Sequence, residues 1–253
     1  MIKKQLFLAC LSLLLLRATA QDVALTMKEA ENFEKQLKED AALEKYKTLA
    51  LADSTYFPAV AKAAELNCSL GARLKDVKAR QPYYEQALKF ATQAYQAKPG
   101  EAQASYVLSL ASSKMAELDL ENKRTVQFIR QTKEYADKAL AINPNHGRAN
   151  YMAGKWNLDM INTSWLKKVA AKTIYGGGIQ PATMDSAIAY MEKCRVAEPY
   201  YVQNYMDLAK AYKQDNKPAK AIEVLNRLLK LPVRTPDDAA LKAEGKVMLD
   251  GML

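Results

Sequence analysis

Small residues seven apart, closed by a proline five positions later, recur along this chain. Ala87, Ala94 and Pro99 have that spacing, as do Ala187, Cys194 and Pro199; Thr132, Ala139 and Pro144 repeat it with threonine in first place. Residues seven apart lie on one helix face, two turns apart. A small side chain there lets a neighbouring helix approach closely. The proline stops the helix, because it lacks an N–H and clashes with the preceding turn. The pattern therefore predicts tightly packed helices that end just before Pro99, Pro144 and Pro199. After Pro199 the partner helix is legible too. Tyr205, Leu208, Ala209 and Tyr212 form one apolar stripe and Ala221, Leu225 and Leu228 a second, with Asp215-Asn216-Lys217-Pro218 as the turn between them. Pro232 closes this unit.

These positions resemble the signature of the tetratricopeptide repeat. The resemblance implies an all-α fold, a tetratricopeptide-like α-solenoid of antiparallel helix pairs, with units at roughly 57–100, 101–145, 147–200 and 202–234. The prolines are 45 and then 55 residues apart, against about 34 for the ordinary repeat. Helices or connections in the earlier units must be longer. Ala149 to about Lys172 reads as one long helix carrying Trp156 and Trp165, both expected to pack between helices. Gly176-Gly177-Gly178 ends it, since glycine takes positive φ freely. Thr183 suits the N-cap of the next helix. From Leu25 to about Leu74 there are three further apolar helical stretches. Thr235-Pro236-Asp237-Asp238 starts a capping helix over 236–250, with both acids near the positive end of its dipole. Such a cap covers the apolar face that the last repeat leaves open.

A narrower resemblance lies in the last hundred residues. Gly154-Lys155-Trp156, Ser164-Trp165-Leu166-Lys167-Lys168, Ala171, the glycine loop, Pro181-Ala182-Thr183, Leu231-Pro232, Thr235-Pro236-Asp237-Asp238, Glu244 and Leu249 follow one pattern. This resembles the α-helical repeat domain of the regulator of microtubule dynamics family and its exported bacterial relatives, and the likeness extends back to roughly Glu29. Eukaryotic members look like membrane-tethered proteins linked to microtubules and to lipid exchange. The resemblance thus implies a lipid- or peptide-binding cavity as well as a fold.

The N-terminus changes where such a protein is expected to work. Lys3 and Lys4 precede an apolar run from Leu6 to Leu16, and Ala18-Thr19-Ala20 is a small-x-small cleavage site. This predicts a secretory signal peptide over residues 1–20, with cleavage before Gln21. The expected location is the periplasm or the exterior. Lipidation at Cys10 is the rival reading, but it leaves almost no apolar core ahead of the cysteine. The run is shorter than the roughly 20 residues a transmembrane helix needs, and no other segment is expected to span a membrane. Removing Lys3, Lys4 and Arg17 leaves 34 basic against 28 acidic residues, so the charge falls from +9 to +6. The lysines are spread along helices with no basic cluster, so no nucleic-acid partner is expected. Export permits a disulfide, but Cys68 and Cys194 sit in apolar helical patterns and read as buried free thiols.

Candidate chemistry is sparse. His146, the single histidine, lies in the turn Asn143-Pro144-Asn145-His146-Gly147. It has no neighbouring nucleophile for a triad. One histidine and two distant cysteines cannot supply a zinc site. The glycine loop lacks the Gly-Lys-Ser/Thr of a phosphate-binding loop. Asp237 and Asp238 are adjacent, so on a helix they point about 100° apart. The sequence therefore predicts no metal, no cofactor and no enzyme, an enzyme of unknown type being only the residual case. In a tetratricopeptide stack the first helices of each pair line a groove. The groove-facing positions are Arg148, Tyr151 and Lys155, then Gln203, Met206, Lys210 and Lys213. Their four cations suit carboxylates or phosphates. The expected function is a scaffold that holds a protein or peptide, in particular an anionic segment. The alternative is a carrier of lipid or another amphiphile between the helices, which requires an apolar cavity with a cationic mouth.

Overall fold

The computed structural model describes residues 22–118, 122–162 and 181–253. Among the described residues there are helices and turns and no strand. The order is α1 (22–35), α2 (Glu39–Ala52), α3 (Phe57–Arg73), α4 (Val77–Ala97), α5 (Ala102–Ala116), α6 (Asn122–Ile142), α7 (Gly147–Asn162), α8 (Met184–Ala197), α9 (Val202–Gln214), α10 (Pro218–Leu229) and α11 (Asp238–Asp250). The expected signal peptide over residues 1–20, the alternative at Cys10, Trp165 and the glycine loop all lie outside the described residues.

From α3 onward each odd helix packs on the even helix that follows it and on the next odd helix. This makes two rows: α3, α5, α7, α9 and α11 in one, and α4, α6, α8 and α10 in the other. Helix α1 extends the first row, since Glu34 pairs with Lys62 of α3 at 2.9 Å. The all-α solenoid of antiparallel pairs follows from the residues that set helix distance. Ala87, Ala94, Ala139, Ala187 and Cys194 are fully buried and Thr132 nearly so. Gly154 serves the same end from the other row. A Cβ there would meet the Ala187 carbonyl oxygen at 2.9 Å and Met191 Cγ at 2.8 Å, so α7 and α8 touch closely because position 154 has no side chain.

The prolines act in a shared turn. The N–H groups of Glu101, His146 and Tyr201 donate to the carbonyls of Lys98, Asn143 and Glu198. Pro99, Pro144 and Pro199 thus take the second position of a four-residue turn, where their fixed φ is suited. The extra unit length is partly in the helices: α4 and α6 have 21 residues each, against 12 in α10. Trp156 is buried, and its indole N–H donates to the Ile129 carbonyl of α6 at 3.0 Å, a packing role. Thr183 caps α8 by accepting from the Ser186 N–H. Asp238 holds the entry to α11, accepting from the N–H groups of Arg234 and Thr235.

One contact joins distant parts of the row. Arg73, the last residue of α3, grips Asp237 just before α11 with two bonds of 2.8 and 2.9 Å. The same guanidinium donates to Glu39 at 2.7 Å. Helices α3 and α11 are four steps apart in the row, so the row curves far enough to bring the end of α3 to the start of α11.

Candidate binding site on the inner helix row

Polar side chains link the odd helices in sequence along their row. Lys62 of α3 pairs with Glu34 of α1. Burial opposes its charge, but Glu65 and Glu34 outweigh burial and raise its pKa. Glu65 accepts from the Gln103 amide of α5 at 2.7 Å. The Gln103 carbonyl in turn lies 3.0 Å from Nε2 of His146. His146 Nδ1 accepts from the Ala149 N–H at the start of α7. That assigns the proton to Nε2, which donates to Gln103. Burial lowers the His146 pKa, which favours this neutral form. The lone histidine is therefore a helix cap and a bridge between α5 and α7.

The next step, α7 to α9, is built by tyrosines and one acid. The Tyr151 hydroxyl donates to Asp207 at 2.7 Å, and the Gln203 amide donates to the same oxygen at 2.9 Å. Burial, then the Asp207 charge, drives the Tyr151 pKa far up, so the phenol stays protonated and keeps donating. Tyr151 and Tyr201 meet edge to face with centroids 5.0 Å apart. Arg148 lies on the face of Tyr201, its guanidinium carbon 3.4 Å from the ring centre. Further along, Lys155 pairs with Asp159 on its own helix. Burial raises the Asp159 pKa although Lys155 opposes it. Yet the Asp159 side chain remains largely accessible to water. Lys210 of α9 reaches Glu244 of α11 at 2.9 Å.

The expected groove residues thus fare differently. Arg148, Tyr151 and Gln203 are brought together between α7 and α9. Lys155 and Lys210 are neutralised by acids, so the four expected cations do not form one uncompensated face. Lys213 is exposed. Met206 is 1% exposed and packs in the core instead of lining a groove, an apolar side chain gaining more from burial than from an open face. Sequence reasoning missed Lys62, Glu65, Gln103, Tyr201 and Asp207. Only Asp207 carried a signal, a carboxylate set inside the apolar run Tyr205-Met206-Asp207-Leu208. The others act through partners 28 to 53 positions away.

Other candidate chemistry is quiet. Cys68 and Cys194 are buried free thiols, and burial pushes each up to about 12. Among the described residues no group of three or more His, Cys, Asp or Glu side chains is arranged to hold a metal. No described helix is long and apolar enough to cross a membrane. A cleft beside α1 and α2 is lined by Glu29, Asn32, Phe33, Gln36 and Lys45, a mainly polar set.

Two rows of antiparallel helices, with polar side chains stepping along one of them, define a tetratricopeptide-like helical-repeat protein. A solved tetratricopeptide protein from Thermus thermophilus superposes with a TM-score of 0.66, covering 90% of this chain and 98% of that one. At 15% identity this is a likeness of fold. The chain belongs to the regulator of microtubule dynamics family, since the family model described as regulator of microtubule dynamics protein 1-3 matches residues 26–253. Regulator of microtubule dynamics protein 1 of Caenorhabditis elegans is 26% identical over 117 residues, covering 46% of this chain and 51% of that protein. Protein 3 of Bos taurus is 25% identical over 122 residues, covering 48% and 26%. The chain spans about half or less of the length of these curated relatives.

Proposed function

We propose that this family member is an exported, non-catalytic scaffold that holds a segment of a protein partner on its inner helix row. The observation that carries the reading is the concentration of polar groups at the α5, α7 and α9 steps: Gln103, Arg148 and Gln203, half-buried, around the buried pair Tyr151 and Asp207. A repeat protein that needed only stability could fill those positions with apolar residues; polar groups held in fixed positions on the inner row supply directional contacts to a ligand. The non-catalytic part is supported by His146, whose two ring nitrogens are both engaged in structure, and by thiols whose burial keeps them protonated. Export rests on the signal-like residues 1–20. An exported chain does not meet cytoplasmic microtubules, so the activity in the relatives' names is not carried over.

Photo-crosslinking in the producing cell tests the site. A benzophenone amino acid at Lys155, on the inner row, should capture a discrete protein. The same probe at Leu51, exposed on α2, should capture none. Capture from Leu51 alone would overturn the inner-row assignment. N-terminal sequencing of the mature protein from the cell envelope should begin at Gln21; an intact Met1 would refute export by cleavage.

A further inference from the structure

Arg148 differs from three other inner-row cations in its pairing, and from the exposed Lys213 in being half-buried. Lys62, Lys155 and Lys210 each have a carboxylate within ion-pair distance. Among the described residues Arg148 has none, and its defined contact is the stack on Tyr201. The Tyr201 ring holds the guanidinium in place; one contact goes to the Tyr201 side chain itself, and the fork of five N–H donors leaves others for a ligand. Burial works against this charge, but Tyr201, Tyr106, Glu65 and Glu198 outweigh it and raise the pKa, so the group is cationic at any physiological pH. Glu65 is already held by Gln103 and lies close to Lys62.

We propose that Arg148, oriented by Tyr201, binds a carboxylate of the partner, so that the inner row takes an acidic peptide segment. The inference rests on the scaffold reading above and names the chemistry of its ligand. The planar fork of donors matches a carboxylate in two parallel hydrogen bonds. Glu65 and Glu198 nearby favour a singly charged anion over a phosphate dianion, because like charges repel more strongly as the ligand's charge rises. A lipid chain fits poorly here, since it would cover the Arg148 guanidinium without replacing the hydrogen bonds that group makes to water.

The test uses peptides selected on the purified protein from a random twelve-residue library. Selected peptides should be enriched in Asp and Glu. Replacing the key Glu of a selected peptide by Gln should weaken binding to the wild-type protein by about tenfold, as expected for one charge-assisted pair. The same replacement should change little on Arg148→Gln. Arg148→Lys should recover only part of the loss, because it restores charge without the fork. Sodium acetate should compete at lower concentration than inorganic phosphate. If the Glu-to-Gln peptide binds the wild-type protein as tightly as its parent, the inference fails and the scaffold reading stands. The inference fails in the same way if phosphate competes better than acetate. If no peptide of any composition binds, both fail. The wild-type comparisons decide the matter even if Arg148→Gln does not fold, which circular dichroism would reveal.

Discussion

His146 shows how one residue type can carry less chemistry and more structure than its presence suggests. Its Nδ1 caps α7 and its Nε2 bridges to α5. Loss of a capping side chain costs about 1 kcal/mol, so His146→Ala should lower stability by roughly that much in urea titrations. The pH dependence has a definite sign. Burial lowers the folded pKa below the ordinary 6.5. The unfolded state therefore binds the proton more readily, and the stabilising contribution, present above about 6.5, is lost as pH falls toward the lowered value. Urea titrations at successively lower pH should show a steeper loss for the wild type than for His146→Asn, which can cap without titrating there. Parallel losses would show that the ring is not the titrating group. Leu37 is a second local case. It sits at φ 60, in the left-handed region, at the end of α1. The Lys38 N–H donates back to the Phe33 carbonyl, as the Lys217 N–H does to Tyr212 beyond Asn216. The left-handed region costs a branched residue about 1–2 kcal/mol. Leu37→Gly relieves this but adds freedom to the unfolded chain. A net gain of roughly 0.5–1 kcal/mol is expected, read as a higher thermal midpoint.

At the scale of elements, helix spacing is set by what is missing from side chains. Gly154 on α7 faces the backbone of α8 near Ala187. An alanine in a helix interior is favoured over glycine by about 1 kcal/mol, yet overpacking costs typically about 1–3 kcal/mol. Backbone cannot swing aside as a long side chain can, so packing should win. Gly154→Ala should therefore destabilise the protein in denaturant titrations, and a stabilised variant would show that α7 and α8 can part freely. The repeat pattern around Ala87, Ala139 and Ala187 was legible because it depends on local spacing alone. The site was less legible. Arg148, Tyr151 and Gln203 were placed by their register on the odd helices. Met206 shares its register with Tyr151, seven residues after the turn proline; both are buried, and only the tyrosine has a hydroxyl to reach Asp207. Gln103 and Tyr201 gave no sequence signal, because ordinary polar and aromatic residues gain meaning only from what they touch.

On the scale of the whole molecule, Arg73 ties α3 to the start of α11. It links Glu39, at 9% side-chain exposure, with Asp237, at 44%. The outer pair is wet and contributes modestly to stability, so an effect of its loss is expected in shape more than in stability. Arg73→Glu and Asp237→Arg should each open the curve, raising the radius of gyration in small-angle scattering. The exchanged pair Arg73→Asp with Asp237→Arg should bring it back toward the wild-type value. High salt should open the wild type in the same sense, since an exposed pair is screened. An unchanged radius in both single variants would show that helix packing alone sets the curvature.

The sequence by itself determined the all-α class, the pairing of helices from Phe57 onward and the kinship with the regulator family, because proline turns and small residues at fixed spacing act within one or two helices. Tertiary structure alone decided which cations are neutralised, that His146 is a cap between α5 and α7, and that Arg73 meets Asp237 across 164 positions. Those outcomes depend on the angle accumulated over successive helix pairs. Each pair contributes a small rotation, and no local pattern records their sum.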